Sequence, residues 1–300
     1  MISLNSLKTK FLNSLYFHQW LLMINISDDL STNFSIFKKI IPPKDRFWAD
    51  PFIIYKNEKY YVFFEELVYS EKIGHISLIE IDKNGHYSKP IKIIDLSFHL
   101  SYPFIFEFQK NYYFIHCSIS KNRTSVDLFK CIEFPHKWEF HKELITNIAV
   151  VDTTLFFHKN KWWLFACTAN KDGTSSSENL VLYYADSPTS DSWTPHPQNP
   201  IVSDIRKARP AGNIFSMQNK LIRPSQNCTK YYGYGLSFNE IIKITESEYK
   251  EQQIDSFEPK WDHNIIAMHT FNHQNNLTVI DGMLRRRHSI FSWFTHIFQL

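Results

Sequence analysis

One hairpin, written five times, constrains this chain more than any other feature. FWADPFIIYKNEKYYVFFEE, residues 47–66, is an apolar run, a polar turn and a second apolar run that opens on an aromatic pair. SYPFIFEFQKNYYFIHCS from Ser101 and DTTLFFHKNKWWLFACT from Asp152 share that layout. Counted from Asp50, Tyr102 and Asp152, the pairs Tyr60-Tyr61, Tyr112-Tyr113 and Trp162-Trp163 fall at the same offset. RPAGNIFSMQNKLIRPSQN from Arg209 and HTFNHQNNLTVIDG from His269 are looser copies. The copies recur roughly every 50–60 residues, the length of a four-stranded propeller blade with its loops.

The segments between the copies supply the outer strands. GHISLIEIDKNGHYSKPIKIIDL (74–96) is a second hairpin around Lys83-Asn84-Gly85, and NLVLYYADSPTSDSWTPHPQNPIV plays the same part after the third copy. The fifth copy has only two strands after His269, so QWLLMINI and FSIFKKI near the N-terminus are expected to complete it. Such a closure pairs the two ends of the chain and leaves no open sheet edge. The expected fold is all-β: one five-bladed β-propeller over residues 1–284, its last blade closed by N-terminal strands. RRRHSIFSWFTHIFQL, residues 285–300, is expected as a short appended C-terminal helix.

Composition removes several function classes. A net charge of +3 spread over 300 residues leaves no basic footprint for nucleic acid. Cys117, Cys131, Cys167 and Cys228 show neither a CxxC pair nor metal spacing, which suits buried thiols in a reducing, cytoplasmic compartment. No metal site and no cofactor motif is expected. Asn13, His18 and Gln19 interrupt the apolar N-terminal run and no small-residue cleavage site follows, so it does not read as a signal peptide. No segment reaches the ~20 apolar residues that span a bilayer. Arg285-Arg286-Arg287 ahead of Ile290, Phe291, Trp293 and Phe294 raise peripheral contact with an anionic membrane, against the alternative of a helix packed on the propeller rim.

In a propeller the first strand of each blade is innermost, so its first residues ring one end of the axis. Here they are Asp50, Tyr102, Asp152, Arg209 and His269. The second strand returns to that face with Glu65, Glu66, His116, Arg223, Gln226, Asn227 and Asp281. The following loops add Lys121, Arg123 and the segment Gly173 to Glu178. A cleft this rich in ionisable groups and walled by aromatics is a candidate ligand site. Each residue also has an ordinary structural reading. An aspartate at the head of a strand accepts turn N–H bonds, the arginines pair with those aspartates, buried histidines are hydrogen-bonded, and the aromatic pairs pack the blades.

Asp50-Pro51-Phe52 in the first copy and Asp152 in the third resemble the five-bladed glycoside hydrolases of family 43. That resemblance implies a base at the first blade, a pKa-tuning aspartate at the third and a glutamate acid on the fourth. The chain departs from the pattern there: Arg209 heads the fourth copy, and Glu178 is the nearest substitute. A resemblance over nearly the whole chain is carried by FHQWLLMINI, DRFWADPF, LSYPFIFE, LYYADSP, HPQNPIVSD, ARPAGNIF, LIRPSQNCTKYYGYGLSFNEI and MHTFN. These motifs resemble the propeller that forms the N-terminal domain of plant glucosamine inositolphosphorylceramide transferases, and its bacterial stand-alone homologues. The resemblance implies glycan chemistry and brings no catalytic residue set with it.

The expected function is glycosyl transfer in surface glycan or glycolipid assembly, on a sugar, glycan or sugar-phosphate ligand. Asp50 is the expected base or nucleophile, Asp152 its orienting partner and Glu178 the acid. Arg209 and Arg223 would hold a phosphate-bearing leaving group, and Gln226 and Asn227 sugar hydroxyls. Tyr102, His116, His269 and Glu66 complete the expected binding set. The alternatives are a non-catalytic carbohydrate-binding propeller that assists a separate glycosyltransferase and, less favoured, a glycoside hydrolase.

Overall fold

In a computed structural model the chain is a ring of five antiparallel sheets, described over residues 16–119, 124–169 and 175–287. Blade 1 is Arg46–Lys56, Lys59–Val68, Gly74–Ile81 and Ile91–Ile94, in that order from the axis outward. Blade 2 is Phe104–Phe108, Asn111–Ile119, Thr124–Glu133 and Lys137–Thr146. Blade 3 runs Val150–His158, Lys161–Ala169 and Ser175–Ala185, with Thr194–Pro195 and Val202–Ser203 both paired to the third strand. Blade 4 is Phe215–Met217, Lys220–Asn227, Gly235–Ile244 and Tyr249–Phe257.

Blade 5 is built from both ends of the described chain. Phe271–Gln274 and Ile265–Ala267 pair with Leu277–Arg287, which pairs along its whole length with Tyr16–Ile26; Lys38–Ile40 lies outside that. The ring thus closes as expected, through eleven residues of each terminal strand. One boundary shifts. Arg285, Arg286 and Arg287 do not begin a tail: they are paired in the strand with His18, Phe17 and Tyr16. Arg286 Nη1 also donates to the carbonyl of Pro42, and its guanidinium lies over the Phe17 ring. The expected helix falls on residues 288–300, outside the described residues.

Local chemistry explains the repeat. The first hairpin of blades 1 to 4 turns on two residues with positive φ: Asn57-Glu58, Gln109-Lys110, Lys159-Asn160 and Gln218-Asn219. Two left-handed residues in succession define the tight turn whose twist matches paired strands, and asparagine tolerates that backbone best after glycine. Each neighbouring pair of blades then encloses its own apolar cluster. Phe63, Ile105 and Phe114 join blades 1 and 2, Phe106, Tyr113 and Trp162 blades 2 and 3, and Phe165, Leu182 and Tyr249 blades 3 and 4. Phe238, Phe271 and Leu21 join blades 4 and 5, and Ile24, Trp48 and Phe64 blades 5 and 1. At about 1.5–3 kcal/mol for each fully buried large side chain, these five seams carry most of the stability of the ring.

Polar bonds stitch the inner strands just below their heads. Tyr102 Oη lies 2.8 Å from Thr154 Oγ1 and accepts the Gly212 N–H at 2.7 Å, while Asn272 Nδ2 donates to the Pro51 carbonyl at 2.6 Å. Gly212 is required there: its φ is +126°, and a Cβ would sit 2.1 Å from the carbonyl oxygen of Phe271.

Candidate functional site

The heads of the inner strands are shaped alike in the first three blades. Asp50, Tyr102 and Asp152 have φ of 51°, 47° and 55°, and in blades 1 and 3 the register slips there, between Ala49 and Phe52 and between Val151 and Thr154. Left-handed backbone is tolerated by aspartate and unusual for tyrosine, so Tyr102 is held there by its surroundings. The bulge re-aims each side chain. Asp50 and Asp152 thereby line a cleft of about 250 Å³ with Glu65, His99, Ser101, Arg209 and His269, walled by Trp20, Phe47 and Tyr232.

Carboxylates tie blade 5 to blade 1, blade 1 to blade 2 and blade 3 to blade 4. Asp281 Oδ2 accepts the Asp50 N–H at 3.0 Å, and Asp50 Oδ2 accepts the Tyr102 N–H at 3.2 Å. Asp50 Oδ1 accepts from Thr270 Oγ1 at 2.9 Å. Asp152 Oδ2 accepts from Arg209 Nε at 2.5 Å and Gln226 Nε2 at 3.1 Å. The Arg209 guanidinium lies 4.6 Å from the centre of the Tyr232 ring. His269 stacks on Trp20 with ring centres 4.0 Å apart and places Nδ1 2.6 Å from Asp281 Oδ2 and 3.7 Å from Asp50 Oδ1.

These distances set the protonation of the site. Burial pushes the Asp50 carboxyl up to about 7; the nearby His269 opposes the rise, and Glu65, Asp152 and Asp281 add to it. Burial alone would lower His269, but Asp281 and Asp50 outweigh it and hold the imidazole up at about 9. Asp281, although fully buried, is kept below the ordinary carboxyl value by that imidazolium and by backbone N–H groups. The site thus holds an ionised pair, His269 with Asp281, and beside it a carboxyl that titrates near neutrality.

Asp50, His269 and Asp281 bring ligand atoms within 4.8 Å of one another, a grouping that could hold a metal ion and that residues so distant in sequence cannot reveal. Asp281 is already saturated: Oδ1 accepts the N–H groups of His269 and Thr270, and Oδ2 faces Asp50 N and His269 Nδ1. A carboxylate has about four acceptor positions, so a cation would have to displace existing bonds. The triad fits a hydrogen-bonded network better than a ligand set.

Several expected residues are placed elsewhere. Glu66 points into the blade 1 sheet, where Arg46, Trp48, His75 and Ser77 surround it. Burial would raise its pKa, but those hydrogen bonds outweigh it and hold Glu66 down at about 2. Its neighbour Glu65, on the opposite face of the strand, lines the cleft instead. Arg223 is buried outside the cleft in a two-bond pair with Glu251, at 2.8 Å each, and donates to the Lys207 carbonyl. Gln226 is fully buried behind Asp152, and Asn227 closes a turn onto Thr229. Tyr102 and His116 border an adjoining, smaller cavity of about 30 Å³ with Cys117 and Thr153, which shares Ser101 and Asp152 with the cleft. Glu178 is exposed on the third strand of blade 3 and is not among the described residues that line the cleft. Lys121, Arg123 and residues 173 and 174 lie outside the described residues.

Trp20, Phe47, His99 and Tyr232 line the cleft and carry no role in the expected set. Trp20 arrives on the closing N-terminal strand, and Tyr232 on the loop after the second strand of blade 4. His99 sits between blades 1 and 2, its Nε2 3.2 Å from Glu65 Oε1. Phe47 opens the inner strand of blade 1. The one sequence signal for them is the aromatic content of YYGYG and of the closing strand.

The ring matches known structures across most of its length. The catalytic domain of a family 62 α-L-arabinofuranosidase from Coprinopsis cinerea superposes with a TM-score of 0.57, covering 90% of this chain and 98% of that one at 11% identity. A family 117 glycoside hydrolase from the marine bacterium Zobellia galactanivorans gives 0.55, covering 94% and 98%, also at 11% identity. At that identity the likeness shows the fold. Glucosamine inositolphosphorylceramide transferase 1 of Oryza sativa subsp. japonica is 30% identical over 212 residues, which are 70% of this chain and 28% of that protein. The chain therefore spans little more than a quarter of the length of that relative. The family described as "Glucosamine inositolphosphorylceramide transferase 1, N-terminal" matches residues 31–276, which reach all five blades, and the chain belongs to that family.

Proposed function

We propose that the axial cleft binds a sugar and acts on its glycosyl bond, in the assembly of a surface glycan or glycolipid. The observation that carries this reading is Asp50, a carboxyl at the cleft wall poised at about 7. A group with that pKa gives up or takes a proton with equal ease at neutral pH, as general acid–base catalysis requires. Cleavage of a glycosidic bond commonly uses a second carboxylate, and Glu65, which lines the same cleft as Asp50, is assigned that part in place of Glu178. Trp20, Phe47 and Tyr232 offer flat faces for a sugar ring. Asp152 is the positioning residue for Arg209. The name of the rice relative, a transferase acting with glucosamine and inositolphosphorylceramide, agrees with the sugar class.

A second reading is favoured by one specific observation: both oxygens of Asp50 already hold bonds to neighbouring blades. On that reading the propeller binds a glycan and leaves the chemistry to another domain. Asp50→Asn separates the two, with sugar binding followed by calorimetry and turnover followed with a panel of activated glycosyl donors. Binding kept with turnover lost supports catalysis. Binding by the unmodified protein without turnover of any donor assigns the binding role.

A further inference from the structure

The strand that closes the ring does not stop at the cleft. Leu277–Arg287 reaches the mouth at Asp281 and runs on, paired with Tyr16–Ile26, so that Arg285, Arg286 and Arg287 lie opposite His18, Phe17 and Tyr16. Four to six residues past Asp281 is roughly 13–20 Å of strand. The inner partner Ile265–Ala267 ends opposite Leu284, and the last residues stand beyond the mouth as a two-stranded ribbon.

Three consecutive cations on such a ribbon call for neutralising neighbours. Among the described residues no carboxylate pairs with Arg285, Arg286 or Arg287, and the acids of the adjoining loops are engaged elsewhere: Asp45 and Glu66 with Arg46, and Asp262 with Lys39. Arg285 and Arg286 lie over the rings of Tyr16 and Phe17, and Arg285 and Arg287 are exposed. Apolar surface adjoins this charge. Arg286 donates to the carbonyl of Pro42, and the neighbouring Ile41 is 47% exposed. Tyr69 is 38% exposed; its N–H bonds the Asp45 carbonyl, and its ring lies 6.4 Å from that of Phe47 on the cleft wall. The patch therefore joins the ribbon to the cleft. Phe98 and Tyr231, also exposed, stand on the loops that carry the cleft residues His99 and Tyr232.

A soluble anion would be served by the arginines alone. Exposed isoleucine and tyrosine beside unpaired arginines fit a surface that is charged at its face and apolar beneath. We propose that the mouth of the propeller rests on an anionic lipid bilayer, with Arg285 and Arg287 against the head groups and Ile41 and Tyr69 reaching below them. The cleft then opens toward the lipid surface. This contact goes beyond the sugar reading and is independent of it.

The test is sedimentation of the full chain with vesicles of phosphatidylcholine, alone and with about 30 mol% phosphatidylserine, at about 0.1 M salt. Binding to the anionic vesicles should be about thirtyfold tighter or more, and most of that advantage should vanish at about 0.5 M salt. Each arginine near an anionic surface contributes about fivefold in affinity, so Arg285→Gln combined with Arg287→Gln should lose about thirtyfold. Ile41→Asp should lose about tenfold. Both variants keep residues 288–300, and circular dichroism checks their fold. Either variant binding as the wild type does overturns the proposal, as does equal or absent binding to the two kinds of vesicle. Heparin bound as tightly as the anionic vesicles, with Ile41→Asp indifferent, assigns the ribbon to a soluble polyanion and overturns it too. Sugar binding followed by calorimetry should be the same in both variants, so failure here leaves the sugar reading standing.

Discussion

Asp50→Asn should stabilise the protein at alkaline pH and destabilise it in acid. Asparagine keeps the shape but has one acceptor oxygen where the carboxylate offers two, for the Tyr102 N–H and the Thr270 hydroxyl. Thr270 can turn to accept from the new amide, so the rearrangement costs about 1 kcal/mol. Against this stands the titration of the native carboxyl. Its pKa rises from 3.8 unfolded to about 7 folded, so the folded state holds the proton more firmly. The stabilisation is fully present below pH 3.8 and is lost as pH rises through 7. Each pH unit in that window removes up to about 1.4 kcal/mol, for a ceiling of about 4 kcal/mol. Relaxation around the charge lowers the expected change to about 2–4 kcal/mol. Urea unfolding followed by tryptophan fluorescence at pH 4, 5, 6, 7 and 8 measures it: the wild type starts above the variant and the two curves cross. A stability difference independent of pH would refute the assignment of this proton to Asp50.

Three further perturbations address other parts of the ring. Arg209→Met leaves Asp152 buried without its cation and should cost about 3–5 kcal/mol in unfolding free energy. Glu66→Gln should cost about 2–3 kcal/mol at pH 7, because the depressed pKa stabilises the fold above the ordinary 4.5; that margin should vanish in thermal melts as pH falls through about 2. Gly212→Ala, with its positive φ and a backbone oxygen in the path of Cβ, should lower the melting temperature by more than 10 °C or abolish soluble expression, while Gly85→Ala, which carries the strain of a positive φ of 77° but whose Cβ meets nothing nearer than 3.6 Å, should lower it less.

The fold was readable because its instructions are local. A two-residue turn, an aromatic pair after it and an apolar run before it are each written within a dozen residues and repeated. The strand heads were readable by the same counting, which brings Asp50, Asp152, Arg209 and His269 to one mouth. Side-chain direction was not. Glu65 and Glu66 are adjacent, and which one faces the cleft depends on the strand register beside the Asp50 bulge, a property of two strands together. Arg223 was mistaken for a cleft residue because its partner Glu251 lies on the outermost strand of the same blade, beyond the reach of any spacing argument. Trp20 and His269 meet only because the two ends of the described chain share a sheet.

That shared sheet also governs when the site exists. Blades 1 to 4 are each continuous in the chain, but the stack of Trp20 on His269 requires a strand from the beginning to wait for one from the end. During synthesis the cleft therefore lacks a wall until the last blade has emerged, and the N-terminal strand spends that interval with its hydrogen-bonding edge unsatisfied. A ligand that touches both rings would bind the closed circle alone, and mass action would draw the latch shut. Occupancy of the cleft then acts as a clasp on the circle, slowing the opening at the seam where unfolding has the least sequence-local structure to break.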